Sequence, residues 1–151
     1  MKLHFSGSPE IAAPQERVWQ RLMDPHFVAD SAPGVESVEV VDPHHFKVAS
    51  SFGAGPIRIR FPIDVEIFDI VPEQSARMRV RGQAPGSTVD VISSIEIQET
   101  GPNTVRLNWS ATSEFSGSVA GIGARLMEGA ARRLTEQFWT DFARRVSEEG
   151  Q

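Results

Sequence analysis

Two hydrophobic rhythms divide this chain. From about residue 35 to residue 116 apolar and polar positions alternate with a period of two, the mark of half-buried strands. From Val119 to about Glu148 the apolar positions recur instead at helical spacing: Ile122, Leu126, Ala130, Leu134, Phe138 and Phe142, with Met127 and Ala131 alongside. That stripe predicts one amphipathic helix about 45 Å long. Trp139 falls beside the stripe and is expected at a helix edge. Turn residues at Asp42-Pro43-His44, Gly53-Ala54-Gly55, Pro72-Glu73-Gln74, Pro85-Gly86 and Gly101-Pro102 cut the alternating region into six strands, as in an antiparallel meander. Ahead of it, Lys2 to Ser6 reads as a short strand. Ala13-Pro14 opens a helix to about Leu22 that buries Val18, Trp19 and Leu22, and Asp24-Pro25 caps and opens a second one.

The turns also predict a register. Pairing Ile70 with Ser75, Ala84 with Ser87 and Phe52 with Ile57 sets Phe61 across from Val48 and Ala84, and Val65 across from Val80. It likewise sets Ile67 across from Met78, and Ser93 across from Met78 and Trp109. One sheet face then carries apolar side chains from Phe46 through Trp109, broken only by Ser50, Ser87, Ser93 and Ser113. No carboxylate, imidazole, amine or guanidinium points that way from the six strands. The opposite face carries Arg58, Arg60, Arg77, Arg79 and Arg81, with Asp64 facing Arg81 and Glu66 facing Arg79. Pro62 marks a bulge or bend that helps curl the sheet. The expected architecture is α+β: a curved antiparallel seven-stranded sheet wrapped around a long C-terminal helix, with two short helices after the first strand. Residues 1–151 are expected to form a single domain, able to bury ~70% of its unfolded surface.

A long helix against a concave greasy face makes either a cavity or a filled core. Phe61, Met78, Ser93, Trp109, Met127, Leu134 and Phe138 are the residues expected nearest its centre. Small residues at Gly82, Ala84, Ser93 and Ala111 leave volume to be refilled or left open. Gly53 and Gly55 in the flexible hairpin, together with Phe27, are expected at the cavity mouth. The ligand this predicts is a hydrophobic small molecule.

Charge and composition mainly exclude. The net charge is −5 with no basic run, so nucleic acid is not an expected partner. Cysteine is absent, which removes disulfides and thiolate chemistry. No apolar run reaches the ~20 residues of a membrane span and no signal-peptide core opens the sequence, so a cytoplasmic location is expected. His44 and His45 are adjacent in a strand pattern, point to opposite faces and have no third ligand nearby; a solvated hairpin tip is expected there, and no metal site. The Gly53-Ala54-Gly55 loop lacks a phosphate-cradling pattern, and no cofactor is expected. The arginine face reads as a solvated, partly paired surface, or as a docking patch for an acidic partner or anionic headgroups. A monomer or weak dimer is expected, with Trp139 and the sheet edges available for contact.

Four stretches carry a resemblance: Met1-Lys2-Leu3 with Ile11-Ala12-Ala13-Pro14 and Val18-Trp19; Pro33-Gly34-Val35-Glu36-Ser37; Gly53-Ala54-Gly55-Pro56 with Arg60-Phe61; and Gly123 to Leu134 with Gln137-Phe138. In these the chain resembles the CoxG family of carbon monoxide dehydrogenase proteins, within the START and Bet v 1-like (SRPBCC) superfamily of helix-grip folds. The resemblance implies a non-enzymatic accessory protein. It implies handling of a lipid- or quinone-like ligand and support of a molybdenum hydroxylase, with recruitment to the inner membrane face. Ile59 and Ile63 stand where the family tends to place glycines, which is expected to narrow the pocket. Two rival functions are a polyketide cyclase-type enzyme on the same fold and a protein-binding adaptor with a filled core.

Overall fold

The computed structural model describes residues 2–32, 34–54, 56–84, 86–117 and 124–149, and of residues 52–54, 57–59, 61, 84 and 124–127 the backbone alone. In chain order the elements are β1 (Lys2–Gly7), β2 (Glu10–Ile11), α1 (Gln15–Leu22), α2 (Pro25–Ser31), β3 (Val35–Asp42), β4 (His45–Ala54), β5 (Ile57–Val71), β6 (Ser75–Ala84), β7 (Ser87–Gly101), β8 (Thr104–Gly117) and α3 (Ala124–Glu148). The strands form one antiparallel sheet in the order β1-β8-β7-β6-β5-β4-β3, so the six-strand meander is closed on its far side by the first strand.

The sheet has eight strands where the sequence pattern predicts seven, because β2 adds a second short pairing on β8. Glu10 faces Arg106 and Ile11 faces Val105, with a 3.3 Å ion pair between Glu10 and Arg106. Two residues are too few for a period to be visible. α1 begins at Gln15 with Pro14 as its N-cap, whose fixed φ suits the helix start. α2 is capped as its sequence predicts: the Asp24 carboxylate accepts from the backbone N–H groups of His26 at 3.1 Å and Phe27 at 3.3 Å.

The register agrees in the centre and shifts at three places. Val65 faces Val80, Ile67 faces Met78, Val80 faces Val91 and Met78 faces Ser93, as predicted. In the β4–β5 hairpin Phe52 faces Ile59, so Phe61 faces Ser50 and Val48 faces Ile63. In β7–β8 Ser93 faces Ala111 and Trp109 faces Ile95, with an irregularity between Glu99 and Gly101. Both slips are by an even number of residues, which leaves every side chain on its predicted face. At the β5–β6 turn Val71, not Ile70, faces Ser75, because Asp69 at φ 50° leaves the ladder as a bulge.

α3 runs for 25 residues, about 37 Å. Its predicted first turn and Ile122 lie outside the described residues. The C-terminal half is seated in a sealed core of Ile11, Ala13, Val18, Phe27, Ile97, Val105, Leu107, Phe142 and Val146. Phe27 and Phe142 meet edge to face at 5.6 Å. Three arginines fasten the α1–α2 pair to the end of α3. Arg145 donates to the Phe27 carbonyl at 2.9 Å and to the Ser31 hydroxyl, with its guanidinium 4.0 Å from the Phe27 ring centroid. Arg21 pairs with Glu149 at 2.8 Å, and Arg17 donates to the Val146 carbonyl at 3.4 Å. At the far edge of the sheet β3 is largely exposed, with Val40 at 47% and Val41 at 58%. Its pairing to β4 is interrupted between Val35 and Ser37 and again between Val40 and Asp42.

Candidate functional site

Along the concave face, burial is uneven. At the α1–α2 end Ala76, Ile97, Val105 and Leu107 are buried, and at the opposite end so are Leu3, Ser87 and Phe115. Between them the same strand faces stay half-buried: Val48, Ile63, Met78, Val80, Val89, Val91, Ile95, Trp109 and Ala111. A filled core of this size would bury that middle band as fully as its ends. Instead a greasy strip remains in contact with solvent beneath α3, where Leu134, Phe138 and Trp139 are half-buried as well.

Within this strip lies a groove of about 110 Å³, lined by Leu22, Met23, Val28, Ile67, Ala76, Arg77, Met78, Ser93, Ile95, Trp109, Phe138 and Trp139. An apolar cavity of ~150 Å³ is enough to take a benzene ring, so this groove accepts one ring or a short length of alkyl chain without rearrangement. Its single hydroxyl is Ser93 and its single ionisable side chain is Arg77. The Arg77 guanidinium is held on the outer face, 3.3 Å from Asp69 and 5.1 Å from the Phe68 ring centroid. A larger hollow of about 500 Å³ lies over β5 to β8 on the other side, but it is wide open and bordered by Asp69, Arg77, Ser94, Glu96, Asn108 and Ser110. Apolar recognition belongs to the smaller, better enclosed groove.

Of the residues expected at the cavity centre, Met78, Ser93, Trp109 and Phe138 line this groove. Leu134 is half-buried one turn along α3 and is not part of the lining. The Phe61 and Met127 side chains lie outside the described residues, as does Gly55; Gly53 is described as backbone, paired with Arg58 in the β4–β5 hairpin. Phe27 is not at a mouth. It is 8% exposed and locked in the sealed core between Phe142 and Arg145, because the α2 cap turns it inward and puts Val28 on the groove side.

Sequence reasoning missed the wall made by Leu22, Met23 and Val28, since two short helices give no signal of which sheet face they approach. It also misplaced Trp139. That indole stacks on Trp109 with centroids 5.8 Å apart and planes 25° apart, and meets Phe138 and Phe142 edge to face. The curved sheet wraps more than one line of α3, so residues flanking the apolar stripe are drawn inside.

On the outer face Asp64 and Glu66 do face Arg81 and Arg79 across the strands, but the side chains choose other partners. Arg81 pairs with Asp90 at 3.4 Å, Arg60 with Glu36 at 3.8 Å, and Glu66 with His45 at 3.2 Å. Arg79 lies over the Phe68 ring at 5.5 Å; the Arg58 side chain lies outside the described residues. The face is therefore a set of exposed, mostly matched charges, each pair weak in water. His45 also bonds to the Asp42 carboxylate at 2.9 Å, and this bond, then the one to Glu66, raises its pKa above the usual ~6.5. Asp42 is held below the usual carboxylate range, first by the His44 backbone N–H at 2.8 Å. Among the described residues no group of three His, Asp or Glu side chains is arranged to hold a metal ion. Among them, too, no helix is long and apolar enough to cross a membrane.

With this geometry in place, comparison with known proteins gives three results. The sequence profile of the carbon monoxide dehydrogenase CoxG family matches residues 7–147. Curated proteins give no match. Among solved structures, a conserved protein from Geobacillus kaustophilus is 25% identical, covering 97% of this chain and 96% of its own, with a TM-score of 0.88. The Zhui aromatase/cyclase from Streptomyces sp. R1128 is 14% identical over 100% of this chain and 97% of its own, at a TM-score of 0.75. A START superfamily protein from Mycobacterium smegmatis is 13% identical over 96% and 97%, at 0.74. The last two likenesses establish the fold, the START and Bet v 1-like helix grip that the element order predicts.

Proposed function

We propose, since this chain belongs to the CoxG family of carbon monoxide dehydrogenase proteins, that it is a non-enzymatic carrier of a lipid- or quinone-like molecule. Family and fold together support a ligand-binding type of protein. The observation that carries the finer reading is the half-buried apolar band between two sealed ends of the concave face. Water against such a surface is unfavourable by about 25 cal/mol per Å², so a slender apolar molecule lying there is bound chiefly by displacing it. Ser93 offers one orienting hydrogen bond.

Reactions of the aromatase/cyclase kind require a positioned acid, base or oxyanion donor. Among the described lining residues Ser93 has no base beside it, and Arg77 is engaged outward, which supports carriage over catalysis. In this reading the protein serves a molybdenum hydroxylase of the carbon monoxide dehydrogenase type, working at the cytoplasmic membrane surface. The exposed arginine face supplies contacts with anionic headgroups or an acidic partner.

Native mass spectrometry of the purified protein tests the carrier reading. A bound apolar molecule that is lost on organic extraction, and regained from a lipid extract, supports it. Protein that stays at its bare mass after incubation with both lipids and quinones refutes it.

A further inference from the structure

Resting on the reading above, we infer that the stacked Trp109–Trp139 pair is the floor of the groove and sets the length of apolar ligand it accepts, and that Gly7 seats that floor. The two indoles stand where the half-buried band gives way to sealed core. On β8 the next inward-facing residue beyond Trp109 is Leu107, and on α3 the residue one turn beyond the Phe138–Trp139 step is Phe142; both are 0% exposed. In the other direction the band continues over Ala111, whose small side chain leaves the path open. A slim chain lying along the band therefore meets the indole pair before it meets the core.

Gly7 fixes where that stop stands. It faces Trp109 directly across the β1–β8 pairing. A Cβ on Gly7 would fall 2.8 Å from the indole Nε1, with two ring carbons at 3.1 and 3.2 Å. The ring is rigid, so it cannot bend its far end away from a methyl group; it has to move as a whole. Because β8 lies between β1 and β7, an indole pushed off β1 travels toward β7, where Ser93 and Ile95 line the groove. Glycine at this position is what lets the ring lie back over β1 and keeps the groove as long as it is. Removing Trp139 and adding a methyl at Gly7 thus act on ligand length in opposite directions.

Isothermal titration calorimetry with a homologous series of straight-chain primary alcohols tests this, using the full chain and the variants Trp139→Leu and Gly7→Ala, each confirmed as folded by circular dichroism. For the unaltered protein, affinity is expected to rise about fourfold per added methylene until the chain reaches the floor, then level off. In Trp139→Leu the break moves to longer alcohols, and in Gly7→Ala to shorter ones. A break at one and the same length in all three proteins overturns the assignment of the floor. If Gly7→Ala does not fold, Trp139→Leu decides alone, and an unmoved break there is enough to reject it. Failure of every alcohol to bind the folded, unaltered protein removes the carrier reading itself, and the gauge with it.

Discussion

Arg145 is the side chain whose removal should most loosen the groove wall without touching the groove. It is 27% exposed and donates to two groups of α2, the Phe27 carbonyl and the Ser31 hydroxyl, the latter on a residue only 2% exposed. Hydrogen bonds from a charged donor are worth ~1.5–3 kcal/mol. The stacking on Phe27 adds roughly 0.5–1 kcal/mol. Asp30, at 3.9 Å and 74% exposed, contributes little to this sum. Arg145→Ala is therefore expected to destabilise the protein by about 3 kcal/mol, lowering Tm by roughly 6–12 °C for a chain of this size. Arg145→Lys, which keeps the charge but loses the planar face, should fall between the two. Urea unfolding followed by circular dichroism measures the free energy. Amide exchange across residues 25–31 should quicken in the same variant, because the wall carrying Val28 has lost its fastening. An Arg145→Ala protein within ~0.5 kcal/mol of the parent, with unchanged exchange in α2, would refute the reasoning, since effects that small are typical of ordinary surface positions.

Phe142→Ala, in the sealed end at 0% exposure, should cost about 3–5 kcal/mol in the same urea assay. Met78→Ala, on the half-buried band, should cost about 1 kcal/mol; equal costs at the two sites would mean that the band is packed like the core. For His45, an NMR titration of its ring protons should give a pKa above ~6.5, and Asp42→Asn should bring it down. A folded-state pKa raised in this way gives stability that is fully present below ~6.5 and is lost as pH rises through the raised value, so any alkaline loss from this cluster should vanish in His45→Gln.

Much of this architecture is legible from side-chain alternation alone. The period-two pattern from Phe46 to Trp109 assigns each strand residue to its face, and those assignments survive two register slips because both slips are even. Asp24 and Pro25 announce α2 because a cap is a local event. What stays hidden depends on contacts between distant segments. β2 is held by Pro9 and Arg106 rather than by any rhythm of its own. Phe27 and Val28 are neighbours in sequence, yet one enters the sealed core and the other the groove, and only the angle at which α2 meets α3 decides which. Trp139 is hidden for the same reason: a helical wheel draws a narrow stripe, whereas a concave sheet touches a broad sector of the helix. Ion-pair choice on the outer face is set by side-chain reach, which register does not specify. Arg81 sits across from both Asp64 and Asp90 and takes Asp90.

The last strand of the sheet has a bearing on solubility. A terminal strand with exposed valines is a template on which further strands can grow. In β3, Val40 and Val41 share their short strand with Glu36, Glu39 and Asp42, and two bulges break its line. Two copies approaching along this rim would bring rows of carboxylates together at the spacing of paired strands, where like charges repel. The same strand that leaves the meander open-ended is thus built to resist being lengthened into a fibre.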